Sequence, residues 1–267
     1  MVKDSVYNDG TYIKFNPTLH AEDSKYKMAY IAKLLERVDW DGSVINILDI
    51  GGGAGELGKY VCEWFVSNGC AVNASVLDVA EEMINIQKEH NPYIKKTYLG
   101  SLDELGEERF DLVLMIDVIE HIESCEQFAA DLNNHASYIV YNIPIEINLV
   151  DILRNIAMNK RYYQAQTESL GHVHFFSIRS AVRFISRYHE PIGTLFSEYA
   201  LYVLTSPHED YVNQRKVQIR KIELMISVAI QKILPWLAPY LVQGSLFSLV
   251  KSKTEMGNAD EHGTVKK

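Results

Sequence analysis

The residues best suited to chemistry follow an apolar run that ends near residue 50. Val44–Ile50 is rich in β-branched and aliphatic residues, carries Asp49 one position before its end, and is followed by Gly51-Gly52-Gly53-Ala54-Gly55. Glycines tolerate positive φ and let a ligand approach bare backbone, while the free N–H groups that begin a helix attract anionic groups. This order predicts a strand, a ligand-binding loop and a helix.

The glycine loop fits two cofactor patterns. Residues 53–58 read as GxGxxG, which is typical of dinucleotide sites, whereas residues 49–55 read as DxGxGxG, which resembles S-adenosylmethionine sites. The first glycine of a cofactor pattern should follow the strand directly, but two glycines separate the strand from Gly53. The pattern whose first glycine is Gly51 is therefore favoured. Asp49 then lies where a carboxylate would attract an ammonium group and repel a pyrophosphate. Asp78 follows the next predicted strand at the spacing expected for an acid on ribose hydroxyls, and its alternative role is a helix cap.

Composition restricts the class of protein. The chain has 267 residues, 47% of them apolar, and a formal net charge of -9. It can therefore bury a full core, and nucleic acid is not expected as a partner because there is no overall positive field. Cys62, Cys70 and Cys125 form no CxxC or zinc spacing and are expected to be reduced. The first ten residues lack the order of a signal peptide, so we predict a cytoplasmic protein.

The elements that position these residues alternate between strand and helix. Strands are predicted over residues 44–50, 72–77, 96–99, 110–116, 138–143, 192–196, 201–204 and 245–250, and helices over 56–66, 81–89, 125–133 and 178–188, the last capped by Ser177. Such alternation predicts an α/β fold with a mostly parallel sheet. Ligands then lie at the carboxyl ends of the strands, where the glycine loop, Asp78 and Asp117 are expected to meet.

The predicted organisation has five parts. They are an N-terminal lid segment (1–40) with a helix over about 24–38, a core (41–206) with an insertion over the site at about 146–170, an amphipathic helical insertion (207–244), a last core strand (245–252) and a disordered tail (253–267). Residues 211–241 have helical periodicity, broken at Pro235 and Pro239. The basic, amphipathic stretch 215–242 could contact a membrane surface, cover its own core or pair with a second copy in a homodimer.

Three blocks of sequence resemble the class I S-adenosylmethionine-dependent methyltransferases. They are residues 48–55, residues 77–84 and the run from Phe110 to Ile122, which contains Asp117-Val118-Ile119-Glu120-His121 directly after a strand. The similarity spans about residues 45–250. It implies a three-layer Rossmann-like fold with a seven-stranded, mostly parallel sheet and an antiparallel last strand. It also implies S-adenosylmethionine as cofactor, released as S-adenosylhomocysteine.

The same resemblance implies a set of cofactor-binding residues. They are Asp49, Gly51, Gly52, Gly53, Gly55, Asp78, Val79, Met83, Ser101, Leu102, Ile116 and Asp117. Ser101 stands where members of this class often carry an acid that reaches the adenine amino group. Adenine recognition is therefore expected to rest on backbone groups or on Asp103.

The residues that handle the acceptor are harder to assign. His121 and His172 are candidate bases, because an alcohol acceptor must lose its proton, although His121 also fits a residue that stabilises a turn. His172 and His174 lie two apart, as in a metal pair on a strand, but no third ligand is evident and no metal is predicted. Candidate substrate contacts are Tyr12, His20, Tyr26, Glu120, His174 and Tyr162.

These observations predict methyl transfer to a small-molecule or glycosyl acceptor, with O-methylation favoured. Residues 20–27, 141–144 and 171–174 also resemble a subgroup associated with surface-polysaccharide or glycoconjugate pathways. Two alternatives stay open, a cofactor-binding protein without catalysis and an NAD-dependent oxidoreductase.

Overall fold

Seven strands form one mixed sheet in the computed structural model, which describes Leu19, residues 21–40 and residues 44–253. Tyr12, His20 and the predicted tail beyond Lys253 lie outside the described residues. The strands are β1 Val44–Ile50, β2 Ala71–Asp78, β3 Ile94–Leu99, β4 Phe110–Ile116, β5 Ala136–Ile145, β6 His189–Phe196 and β7 Gly244–Ser252.

The strand order is β3-β2-β1-β4-β5-β7-β6. Neighbours from β3 to β5 pair in parallel, and β7 runs antiparallel to both β5 and β6. The chain reverses its strand order between β1 and β4, which brings the ends of β1, β2 and β4 to one edge of the sheet. The predicted seven-stranded Rossmann-like sheet with an antiparallel last strand is confirmed.

Helices cover both faces of the sheet. They are α1 Ser24–Leu35, α2 Glu56–Ser67, α3 Glu81–His90, α4 Cys125–Leu132, α5 Leu149–Ala157, α6 Tyr162–Leu170, α7 Ile178–Tyr188, α8 Tyr199–Thr205, α9 Glu209–Lys216, α10 Gln218–Ile233 and α11 Ala238–Leu241. Side chains of β4 alternate between two apolar clusters. Leu112 packs with Ile31 of α1 and Phe65 of α2, whereas Val113 packs with Ile185 of α7 on the opposite face.

Local sequence explains where α7 begins. The Ser177 hydroxyl accepts a hydrogen bond from the backbone N–H of Ser180, and the Ser180 hydroxyl accepts one from the backbone N–H of Ser177. This reciprocal pair satisfies two N–H groups that the first helical turn leaves open. The predicted cap at Ser177 is therefore present.

One predicted strand is wrong. Residues 201–204 belong to the helix α8, because Ala200 and Val203 repeat at helical spacing and pack with Tyr211 and Leu224. Residues 171–176 form no strand, apart from a single bridge between Phe176 and Ile145. The stretch 211–241 is divided into α9, α10 and α11, with an extended residue at Val217 in addition to the break near the prolines.

Residues 146–170, for which the sequence predicts an insertion over the site, contain regular structure. They form α5 and α6, and the Asn148 side chain caps α5 by accepting from the Asp151 N–H at 3.0 Å. Within residues 21–40 and 44–253, none of the helices combines the length and apolar character that a membrane span requires.

Candidate functional site

The glycine loop after β1 is closed to side chains. Gly53 has φ +56°, and a Cβ on it would lie 2.9 Å from the carbonyl oxygen of Leu19. Gly55, the N-cap residue of α2, has φ +82°, and a Cβ on it would lie 2.9 Å from the Cα of Gln87. The N–H of Gly51 donates to the carbonyl of Leu77 at 2.9 Å, which fixes the loop to the end of β2. The loop therefore presents backbone to any ligand beside it.

Asp49 lies beneath this loop. A Cβ on Gly52 would collide with its Oδ2, so the carboxyl group packs directly against the loop backbone. Burial raises the pKa of Asp49 to about 7, and the nearby carboxylate of Asp78 adds to the rise. A cationic group brought to the loop would stabilise the ionised form of this carboxyl.

Asp78 ends β2 and is buried. Its Oδ1 accepts from the backbone N–H of Ala80 at 3.1 Å, and its Oδ2 accepts from the side-chain amide of Gln87 at 3.0 Å. Burial raises its pKa, although the hydrogen bonds from Ala80 and Gln87 oppose the rise. Asp78 thus organises the turn before α3 without capping the helix, whose N-cap residue is Ala80, and it also lines a cavity.

That cavity, the loop cavity, occupies about 300 Å³ at the carboxyl ends of β1, β2 and β4. Its walls include Gly51, Gly53, Asp78, Val79, Met83, Ser101, Asp117, Val118, His121 and Phe128. A space of about 60 Å³ at the other side of the loop contains Asp49, Gly52 and Ile116. The Ser101 side chain also caps the short turn Leu102–Leu105, whereas Leu102 packs in the apolar core.

The loop cavity fits S-adenosylmethionine. Bare glycine backbone lies at one end, an acid sits at the end of β2, and Val79 and Met83 supply an apolar wall. These are the groups that an amino-acid moiety, a ribose and an adenine require. The structure therefore brings most of the predicted cofactor-binding residues together around the loop cavity.

Asp117 occupies a strained position at the end of β4. It has φ +54°, which is uncommon outside glycine and costs about 1–3 kcal/mol. Three contacts hold it there. Its Oδ1 accepts from the Asn142 side-chain amide at 2.8 Å, its Oδ2 lies 2.7 Å from Lys27 Nζ, and its N–H donates to the Asn142 carbonyl at 3.1 Å.

Lys27 reaches this point from α1. Its Nζ lies 2.9 Å from Asp23 Oδ1 as well as near Asp117. Burial alone would lower the pKa of Lys27, but the two carboxylates outweigh burial and hold the pKa above its ordinary value. Lys27 is therefore a fixed positive charge between the N-terminal helix and the end of β4.

A second cavity, the helix cavity, lies beside Asp117 and occupies about 390 Å³. It is lined by residues of α1, β5, α5, α6, α8 and α9 together with the turn Ile119–His121. Five predicted acceptor-side residues line it together, namely Tyr26, Glu120, His121, Tyr162 and His172. Asp117 and His121 line both cavities, which makes them the boundary between the two spaces.

Glu120 is the most unusual side chain of the helix cavity. It has no solvent exposure, and neither carboxylate oxygen has a hydrogen-bond partner among the residues that the structure describes. Burial raises its pKa well above the ordinary value, and the charge of Asp117 adds to the rise. Its backbone carbonyl accepts from the N–H groups of Val173 and His174, which docks residues 171–176 against the turn.

The two histidines of that segment have different roles in the fold. His172 is buried, its Nδ1 lies 2.9 Å from Glu146 Oε2, and its ring meets the His121 ring edge-on at 4.9 Å between centroids. The Nε2–H of His174 donates instead to the carbonyls of Ile122 and Glu123. The side-by-side pair of His172 and His174 expected for a strand is therefore not formed, because the segment is not a strand.

Sequence reasoning missed three residues of the site, Lys27, Asn142 and Glu146. One signal was available, since Asn142 is a lone amide within the apolar run of β5 and is fully buried. A buried polar side chain in such a strand needs partners, and the end of a parallel strand is where a site would supply them. Lys27 and Glu146 reach the site from segments whose placement the sequence pattern does not define.

The chain is similar to known methyltransferases in sequence and fold. Residues 21–188 match the family model described as "Methyltransferase domain". The mycolic acid cyclopropane synthase CmaA1, complexed with SAH, is 14% identical with a TM-score of 0.54, and the alignment covers 84% of each chain. The cyclopropane synthase MmaA2 from Mycobacterium tuberculosis is 13% identical with the same TM-score and the same coverage.

A third similar structure is geranyl diphosphate C-methyltransferase from Streptomyces coelicolor A3(2), in complex with Mg²⁺, geranyl diphosphate and S-adenosylhomocysteine. It is 8% identical, with a TM-score of 0.53 and coverage of 85% of this chain and 81% of the other. At these identities the likeness shows the fold. No curated protein matches this chain.

Proposed function

Because the chain belongs to the methyltransferase domain family and is an S-adenosylmethionine-dependent methyltransferase, we propose that it methylates a hydroxyl group of a neutral, glycosyl-type acceptor. The observation that carries this proposal is the boundary between the cavities. Asp117 and His121 line both the loop cavity and the helix cavity, so a donor in one and an acceptor in the other meet at these residues.

The loop cavity would hold the donor. The glycine backbone and Asp49 would bind its amino-acid part, Asp78 its ribose hydroxyls, and Val79 and Met83 its adenine. When bound, S-adenosylmethionine supplies an electrophilic methyl group on a sulfonium, whose C–S bonding electrons stay on the sulfur of S-adenosylhomocysteine. The chain itself must position the acceptor oxygen in line and accept its proton.

The lining of the helix cavity favours a neutral polyhydroxyl acceptor. Its acidic side chains outnumber the basic ones among the described residues, with Glu22, Asp23, Asp117, Glu120, Glu146, Asp151 and Asp210 against Lys27. Such a wall repels phosphates and accepts hydrogen bonds from hydroxyl groups. The rings of Tyr26, Tyr162, Tyr199 and Phe247 offer apolar faces for sugar C–H groups.

His172 is placed to take the proton of a hydroxyl acceptor. Its Nδ1–H donates to the Glu146 carboxylate, which fixes the tautomer and leaves Nε2 with a lone pair. An alcohol holds its proton tightly, so removal of this base should lower the rate about 10²–10⁴-fold. An amine or thiol acceptor would need it far less.

An acceptor panel tests the proposal. S-adenosylhomocysteine formation would be measured with neutral glycosides, with sugar phosphates and with amino sugars, using the intact chain, His172→Gln, and His135→Gln as a matched control outside both cavities. We expect turnover on neutral glycosides that falls at least 10²-fold in His172→Gln and stays unchanged in His135→Gln. Turnover confined to amines or phosphates, or equal turnover in both variants, contradicts the proposal.

The family match favours methyl transfer over the two alternatives left open by the sequence. Calorimetry separates all three. Binding of S-adenosylhomocysteine without binding of NAD supports the proposal, and the reverse contradicts it. A protein that binds S-adenosylhomocysteine but turns over no acceptor of any class would be a binding protein without catalysis.

We also propose that the acceptor is a glycoconjugate reached at a membrane surface by a cytoplasmic protein. Apolar side chains of α10 and the residues before α11 are exposed, among them Ile219 at 81% and Trp236 at 69%, and Leu153 and Ile156 of α5 are exposed as well. Lys221 and Lys232 are on the same helix α10. Helices of this composition bind the interface of anionic bilayers.

Liposome flotation tests this part, with Ile219→Asp/Trp236→Asp as the variant and Val182→Asp, an exposed position on α7, as the control. We expect the intact chain and the control to float with anionic vesicles and the double variant to stay behind. If none of the three floats and sedimentation shows dimers that the double variant disrupts, the surface joins two copies in a homodimer and the membrane proposal fails.

A further inference from the structure

The geometry points to a divalent transition-metal site formed by Glu120, His121 and His172 in the wall of the helix cavity. One donor atom from each of these side chains lies within 4.8 Å of the other two. Metal–ligand bonds of about 2.0–2.2 Å place the ligand atoms of a tetrahedral site roughly 3.4 Å apart. Small side-chain rotations would close the remaining difference. The sequence pattern missed this set because it paired His172 with His174.

The backbone holds the three donors in place before any ion arrives. Glu120 and His121 belong to the turn Ile119–His121, and His172 belongs to the segment that docks on this turn. The docking bonds run from the N–H groups of Val173 and His174 to the Glu120 carbonyl, at 2.9 Å and 3.0 Å. The two ligand-bearing segments are thus bonded to each other.

His172 already has the second contact that metal-binding histidines show. Its Nδ1 lies 2.9 Å from the Glu146 carboxylate, which leaves the lone pair of Nε2 available to an ion. A carboxylate that hydrogen-bonds one ring nitrogen fixes the orientation of the ring and leaves the other nitrogen for the metal. Glu146 would therefore be a positioning residue and not a ligand.

Glu120 gives an independent indication that this cluster binds an ion. Its side chain is fully buried in the cavity wall, and within the described part of the chain both carboxylate oxygens lack a hydrogen-bond partner. Buried carboxylates are normally paired or bound to a metal. Lys27 forms ion pairs with Asp23 and Asp117, so its ammonium group is directed at those two carboxylates.

Two imidazole nitrogens and one carboxylate oxygen favour Zn²⁺ or a similar first-row ion over Mg²⁺ or Ca²⁺. Three protein ligands leave a position open toward the cavity, where an acceptor hydroxyl could bind and acidify. This use of the ion rests on the proposed function. In the metal-bound state the cation would lower the pKa of the hydroxyl, the released proton would pass to solvent water, and His172 would serve as a ligand instead of the base. Metal binding itself does not depend on the proposed function.

Calorimetric titration of the tag-free, chelator-treated chain with Zn²⁺, and separately with Mg²⁺, tests the site. The ligand variants are Glu120→Gln, His121→Ala and His172→Ala, and His135→Ala is the matched histidine control. We expect one Zn²⁺ per chain, at least about 100-fold weaker binding in each ligand variant, and no change in the control. Glu146→Gln should weaken binding about 10–100-fold. Circular dichroism and S-adenosylhomocysteine binding would show that each variant folds.

The site is refuted if the intact chain binds no Zn²⁺, or if Glu120→Gln and His172→Ala bind it as well as the control does. Its failure is distinguishable from failure of the proposed function. If the chain binds no Zn²⁺ and methyl transfer persists after chelation, the metal site is refuted and the proposed function stands. If Zn²⁺ binding depends on Glu120 but the chain methylates no hydroxyl group, the metal site stands and the proposed function is refuted.

Discussion

The acid beneath the glycine loop should destabilise the cofactor-free protein at neutral pH. Asp49 is buried, and burial together with the charge of Asp78 raises its pKa from 3.8 to about 7. Between these values the folded chain holds a proton that the unfolded chain has released. The free energy of unfolding therefore falls as pH rises through this interval, by about 1.36 kcal/mol for each pH unit.

Asp49→Asn removes this dependence. The full shift corresponds to about 4 kcal/mol, and about 3 kcal/mol of it develops between pH 5 and pH 8. We therefore compare the unfolding free energy of Asp49→Asn with that of the intact chain at each pH. This difference should shift in favour of the variant by on the order of 3 kcal/mol between pH 5 and pH 8. The same variant should bind S-adenosylmethionine more weakly, because the amide cannot attract the cationic groups of the cofactor.

Urea unfolding of the cofactor-free protein at the two pH values measures the effect. Asp103→Asn, an exposed acid in the turn before β4, is the matched control and should follow the intact chain at both. The reasoning is refuted if the stability difference between Asp49→Asn and the intact chain is the same at pH 5 and pH 8.

Three further results follow from the structure. Gly53→Ala should weaken S-adenosylhomocysteine binding at least tenfold in calorimetry, because its Cβ meets a backbone carbonyl. Gly69→Ala, with φ +88° and nothing within 4 Å of its Cβ, is the control and should bind normally. Equal affinities of the two variants would argue against cofactor binding at the glycine loop. Lys27→Met should lower the unfolding free energy by about 3–5 kcal/mol, because it leaves the carboxylate of Asp117 without its partner. Adding Asp117→Asn should restore part of this loss. Strictly additive effects of the two substitutions in urea unfolding would contradict an ion pair between these residues. The His189 ring, whose pKa burial lowers to about 4, should stay neutral in NMR titrations at pH 6, and a midpoint near 6.5 would contradict its burial.

The core of the fold could be predicted because its signals are local. The apolar run of β4, the glycines after β1 and the cap at Ser177 each depend on a few adjacent residues. Residues 201–204 misled the prediction because a short apolar run suits either a buried strand or a buried helix, and only the contacts with Tyr211 and Leu224 decide.

The acceptor side depends on contacts that are distant in sequence. Lys27 meets Asp117 across 90 positions, and Glu146 meets His172 across 26. No local pattern marks such pairs. The distinction between His172 and His174 likewise comes from the docking of their segment on Glu120, which places one ring in the cavity and the other on backbone carbonyls.

Methyl transfer to oxygen across the boundary of Asp117 and His121 is most directly tested with S-adenosylmethionine labelled with ¹³C in its methyl group. The labelled cofactor would be incubated with the chain and a neutral glycoside, and the product examined by NMR. We expect the label in a methoxy group, and its loss in His172→Gln. Label found on nitrogen or sulfur, or no transfer to any neutral glycoside by a chain that binds S-adenosylhomocysteine, would contradict this account.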